Sequence, residues 1–248
     1  MGGDIASAAM PPIEYMLVIG AVVIVGAAVQ SSVGLGLGLI AAPVVSFIDP
    51  SLMPGSLLIT TGLLPLLTVA SEWRHIDWRG LAWGLPARVP GSLIGAWVVA
   101  ALEPRMLGAA VGAMVLVAVG LSLLPLTVRP APAPLLAAGL TSGAMGTATS
   151  IGGPPIALVY QNEEGPRVRA TLGAFFLFGI AISLTVLTAS GQLDRHQVTT
   201  GLAMLPCIVA GFLLGRPLRR LVDAGLLRAA LLAVVACSGA ALVVRSFL

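Results

Sequence analysis

Long uncharged stretches run through the chain from end to end, separated by short loops that hold most of the Arg, Asp and Glu. The apolar runs cover 14–48, 55–71, 81–101, 106–128, 133–160, 168–190, 198–215 and 226–247. A helix needs roughly 20 predominantly apolar residues to cross a bilayer. Alternation of period two is absent from the runs, so a β-barrel is not indicated and helices are the way these segments satisfy their backbone in lipid. The pattern predicts an all-α polytopic membrane protein of eight to ten membrane segments. No loop is long enough to hold a core of its own, so a single transmembrane domain covers 1–248.

The first run does not fit that scheme. A straight helix over 14–48 would be roughly 52 Å long at 1.5 Å per residue, against a hydrocarbon core of about 30 Å. Inside it lies "VQSSVGLGLGLIAAPVV", 29–45, with Gly34, Gly36 and Gly38 at alternate positions. Each glycine costs about 1 kcal/mol relative to alanine in a helix interior. These residues predict a break near 33–36 followed by a short returning arm, a broken or re-entrant helix.

The break has an echo. "GAAVQSSVGLGLGLIAAPVV" (26–45) resembles "GAMGTATSIGGPPIALVY" (143–160), "PGSLL" (54–58) resembles "RATLG" (169–173), and "HID" precedes one span as "QLD" (192–194) precedes another. "PGSLIG" (90–95) and "PCIVAG" (206–211) continue the order, all at offsets of 115 to 117 residues. The chain reads as two repeats, 14–128 and 133–247. Duplication of this kind is common in secondary transporters, whose sites lie between the repeats near the membrane midplane.

Charge bears on how the repeats are oriented. Four crossings per half would put seven arginines (Arg105, Arg167, Arg169, Arg216, Arg219, Arg220, Arg228) against five (Arg74, Arg79, Arg129, Arg195, Arg245). A Gly-rich segment that turns back gives five crossings per half and inverts the halves. Nine arginines then share a side against Arg105, Arg195 and Arg245. The second count suits the concentration of Lys and Arg in cytoplasmic loops better and favours inverted repeats. Both counts put both termini outside the cytoplasm. The N-terminal "MGGDIASAAMPPIEY" has no basic residue and reads as an exposed lead-in rather than a cleaved signal.

Composition agrees with the membrane reading: 58% hydrophobic, 9% charged, mean hydropathy +1.03. The net charge of +3 sets thirteen arginines, with no lysine, against ten acidic residues. In this setting it reports topology rather than a nucleic-acid surface. Cys207 and Cys237 lie in separate runs and read as small core residues, without metal or cofactor chemistry.

The segments "SVGLGLGLIAAPVV", "MPGSLLITTGLLP" and "HIDWRGLAWGLPARVPGSLIGAWVVAAL", with the Gly-rich pattern returning in the second half, resemble the sulfite exporter TauE/SafE family of bacterial and archaeal membrane permeases. The resemblance covers nearly the whole chain, although Leu35 and Leu37 interrupt the run of consecutive glycines typical of the family. It implies a plasma (inner) membrane transporter, an exporter by preference, of small anions such as sulfite or organosulfonates. Driving ionic gradients admit H+ or Na+ as coupling ion, and a homodimeric assembly is compatible with it.

The residues supply chemistry for an anion. Broken helices offer free N–H groups and the positive end of the helix dipole at each resumption. Arms starting near Gly36 and at Gly152 and Gly153 would give one such end per half, with Pro154 and Pro155 suited to a first turn. Gln30, Ser31 and Ser32 surround the first break; Thr147, Thr149 and Ser150 surround the second. Ser56 and Thr171 form a further layer at equivalent repeat positions, while Thr60 and Thr61 read as hydroxyls bonded back to their own helix. Close helix packing is the competing role for the glycines.

Arg88 is the one basic residue well inside a span. At that depth it is either a partner for a sulfite or sulfonate oxyanion or a structural donor to carbonyls freed by Pro86 and Pro90. His75 and His196 fall in loops and read as solvated. An intramembrane enzyme would need clustered acids and histidines within the spans, and a metal permease His, Asp or Cys clusters; neither is present. The reading is therefore transport without catalysis. A permease for another small anion or organic acid is the alternative, ahead of an intramembrane enzyme or a structural subunit.

Overall fold

The computed structural model describes residues 13–33, 36–123, 128–218, 236–237, 239–241 and 243–244. Gly34, both termini and most of the last apolar run lie outside the described residues. The expectations for them, including the side on which the termini lie, have no counterpart below.

The first run divides into α1 (Ile13–Val33) and α2 (Leu37–Ile48). Gly36 stands at the resumption with φ of 143°, a backbone angle that side chains rarely adopt. A short turn over Pro50–Leu52, held by the Asp49 side chain accepting from Ser51 N–H, leads into α3 (Gly55–Glu72). A second turn over Trp73–His75 leads into α4 (Trp78–Ala101), followed by α5 (Pro104–Leu123). The 133–160 run divides in the same manner, into α6 (Pro132–Thr149) and α7 (Gly153–Tyr160). There Ser150 takes the left-handed conformation, φ 62°, and closes α6. Then come α8 (Gly165–Ala189), α9 (Arg195–Ala203) and α10 (Leu205–Leu218). No strand occurs among the described residues.

Helix α4 starts before its apolar run, which begins at Leu81, because the Asp77 carboxylate accepts from the Gly80 N–H and caps the first turn. A polar N-cap thus draws "DWRG" into the helix. Four stretches are long and apolar enough to cross a bilayer: Ile13–Ser32, Gly55–His75, Gly165–Ala189 and Arg195–Gly215. With the shorter apolar helices around them, they make this a multi-pass helical membrane protein.

The bundle interleaves the two halves of the chain. Its three most extensive helix pairings are α4 with α6, α1 with α10 and α3 with α8. Small residues bring the backbones together, as the absence of a water-driven hydrophobic force between helices in lipid demands. On α4, a Cβ at Gly91 or Gly95 would strike the α6 carbonyls of Leu140 or Ala144; on α6, one at Gly143 would strike Arg88 O. Gly211 and Gly215 of α10 do the same against Ile24 and Ala28 of α1.

Charged side chains gather at one end of the bundle. Arg79, Arg129 and Arg167 line one open depression with Asp77 and Glu163, and Arg169 pairs with Glu72. His196 is not a solvated loop residue. It lies in the first turn of α9, only 16% exposed, with Nε2 3.8 Å from Asp49, because Gln197 draws α9 onto the carbonyls of Ser51 and Met53.

Candidate functional site

The two helix breaks meet. Across the first, the Leu37 N–H donates to Gln30 Oε1 at 3.0 Å, so one otherwise free donor of α2 is capped by a side chain from the end of α1. Across the second, Ser150 Oγ donates to Pro54 O at 2.9 Å, tying the break to the start of α3. Gly38 presses so closely on that break that a Cβ would lie 2.5 Å from Ser150 O. The Gly152 carbonyl accepts from the Ser142 hydroxyl.

Between the breaks is a cavity of about 50 Å³. A water needs roughly 10–15 Å³ by the same kind of measure, so the space suits a few waters or one small oxyanion. Gln30, Gly36, Gly38 and Arg88 line it from the first half of the chain, and Ser150, Gly152 and Gly153 from the second. Leu39, Leu58, Phe176 and Ile180 give it an apolar wall.

Arg88 is the charge of the site. It is 2% exposed, donates from Nη1 to Ser142 Oγ at 2.9 Å, and lies over the Phe175 ring, 4.9 Å from its centroid. Its Nε has no hydrogen-bond partner. Among the described residues no carboxylate forms an ion pair with it. Gly179 of α8 makes the space for this group, since a Cβ there would collide with Nε and Cζ. The carbonyls freed by Pro86 and Pro90 do not hold it; Ser142, on another helix, does.

The remaining candidates lie around the cavity rather than in it. Ser31 and Ser32 both donate to Ala28 O, and Ser32 also to Gly215 O. Ser56 bonds back to Leu52 O, Thr149 back to Met145 O, and Thr147 pairs with Ser183. Thr171 accepts from the Asp77 N–H at 3.0 Å, at the arginine-rich end. Thr60 bonds back to Ser56 O and reaches Gly201 O, whereas Thr61, bonded back to Leu58 O, also lines the cavity. Sequence reasoning missed Ser142, Phe175 and Gly179. Each earns its place only through contact with Arg88, and nothing in the linear pattern marks that contact.

At the arginine-rich end Asp77 ties three elements together. Besides capping α4 it accepts from Tyr160 Oη and from Arg167, both at 3.1 Å. Burial alone would raise its pKa, but the Gly80 N–H, the Tyr160 hydroxyl and the Arg167 guanidinium outweigh that and hold it below the usual carboxylate value. Among the described residues no three His, Cys, Asp or Glu side chains converge as a metal would require.

A multi-pass helical bundle whose interrupted helices meet at a cavity holding a buried arginine is compatible with the architecture of a membrane transporter. The chain belongs to the family described as sulfite exporter TauE/SafE, whose profile it matches over residues 18–242. It is 28% identical over 197 residues to the "Probable inner membrane transporter protein TsaS" of Comamonas testosteroni, a match covering 73% of this chain and 81% of that protein. No solved structure matches it.

Proposed function

We propose that the protein is a secondary transporter, acting as an exporter in the inner membrane, for a small sulfur-containing anion such as sulfite or an organosulfonate held between its two halves. The observation that carries this reading is Arg88, buried at a cavity where two helix breaks meet, with an unused Nε and no carboxylate partner among the described residues. A guanidinium offers paired N–H donors to an oxyanion, and glycine-lined helix starts let a ligand approach the backbone closely. Family membership and the name of the Comamonas relative support the transport class and the membrane.

The same order of long helix, break, short helix and long helix in both halves supports a repeat with its site at the junction, read as inverted from the distribution of arginines in the sequence. Transport would be driven by an ionic gradient, with H+ or Na+ as coupling ion. The test is flux into proteoliposomes with sulfite, sulfoacetate, sulfate, chloride and acetate, with and without a pH gradient. Sulfite or sulfoacetate should cross fastest and compete with each other. No flux of any anion through folded protein would overturn the reading, and a preference for acetate would move it to an organic-acid permease.

A further inference from the structure

The central cavity has a neighbour. A narrower space of about 10 Å³, room for roughly one water, shares Gln30, Pro65 and Phe176 with it and continues to Thr68, Gly173 and Arg169. Arg169 pairs there with Glu72, the last residue of α3, at the arginine-rich end. The pair is lopsided: Arg169 Nε and Nη2 both donate to Glu72 Oε1, at 3.2 and 3.1 Å, while Glu72 Oε2 is buried without a partner. A carboxylate matched to a guanidinium normally uses both oxygens. Here one oxygen serves two donors, leaving an arrangement that an incoming oxyanion with two acceptor oxygens can replace.

We infer that Arg169 is a second anion station on the transport path and that its pairing with Glu72 is the gate of that path at the arginine-rich end. This rests on the central cavity being the anion site. Phe176 stands in the shared wall between the two spaces, and Gly173 faces Thr68 across the neck, where a Cβ would lie 3.2 Å from Thr68 Cγ2. An anion entering at the arginine-rich end meets Arg169 first, and passes Phe176 and Gln30 to Arg88 only as Glu72 lets go. The exchange of one acceptor for another keeps the guanidinium paired throughout, which limits the cost of moving charge through a partly buried neck.

The test uses the full chain with Cys207 and Cys237 replaced by alanine and Thr68→Cys in the neck, labelled in proteoliposomes with a sulfonate-bearing or a trimethylammonium-bearing methanethiosulfonate. Glu72→Gln should speed labelling by about fivefold, the population change expected from releasing a partly buried ion pair. Adding Arg169→Gln should then slow the anionic reagent relative to the cationic one. Unchanged labelling in Glu72→Gln, or an equal response of both reagents to Arg169→Gln, overturns the gate. A second measurement, with Thr68 left in place, compares sulfite flux in the wild type, Glu72→Gln and Glu72→Gln/Arg169→Gln; equal flux in all three also overturns it. The central site is judged separately, by whether Arg88→Gln abolishes anion-induced thermal stabilisation.

Discussion

Arg88 is expensive where it sits. An ion moved into a low-dielectric interior costs several kcal/mol even after relaxation. The Ser142 bond returns about 1.5–3 kcal/mol, as hydrogen bonds to charged groups do, and the Phe175 face about 0.5–2 kcal/mol. In the proposed function an oxyanion at the guanidinium would supply the compensation that no acid among the described residues provides. Removing one charge-assisted hydrogen bond to that anion should weaken binding about tenfold or more. Gly179→Ala, which pushes the guanidinium away without touching its charge, is therefore expected to weaken anion binding by that factor, and calorimetric titration would measure it. Arg88 was legible in the sequence as a lone charge inside an apolar run. Gly179 was not, since its meaning depends on a side chain from another helix.

Asp77 gives a second prediction at this scale. Its native pKa lies below its ordinary value of 3.8, so its contribution to stability is complete above that value and disappears as pH falls through the lower native one. Asp77→Asn should lower the melting temperature at neutral pH, and the gap to wild type should narrow as the pH drops below about 4. A gap independent of pH would show that the charge of Asp77 is not what Tyr160 and Arg167 recognise.

At the level of the elements, the two breaks do one job with different residues. The first uses Gly36 at φ 143°, the second Ser150 at φ 62°. Left-handed backbone costs a side-chain-bearing residue about 1–2 kcal/mol, so Gly36→Ala should destabilise by at least that much in thermal unfolding. Ser150→Gly relieves the same strain but gives up the bond to Pro54 O, worth about 1 kcal/mol; its net effect should be small, and a large loss would mean that the tie to α3 matters more than the turn. Overlong runs and clustered glycines made both interruptions readable from sequence. The serine turn was not, because a left-handed serine has no pattern of its own. Ser56 and Thr149 each bond to a carbonyl four residues earlier, Leu52 O in the preceding turn and Met145 O in α6, a choice that spacing does not reveal.

Over the whole molecule, the principal packings all join one half of the chain to the other. Glycines there bring backbone against carbonyl, leaving little space for one half to rock past the other as a rigid unit. In the proposed function, movement of an anion is more easily placed in the breaks and in the side chains between the two cavities, where Phe176 and the Glu72–Arg169 pair stand. The membrane class was plain from hydropathy alone. The way the halves interleave was not, since small-residue stripes on several helices match one another equally well and only the assembled bundle selects among the pairings.

The most direct test of the account is crystallographic. Selenite carries the shape and charge of sulfite with a strong anomalous scatterer, and crystals grown with it should show a selenium peak within hydrogen-bond reach of the Arg88 guanidinium, between Gly36 and Gly152, that vanishes in Arg88→Gln. A selenium peak elsewhere, or one that persists in Arg88→Gln, would contradict the assignment of this cavity as the anion site.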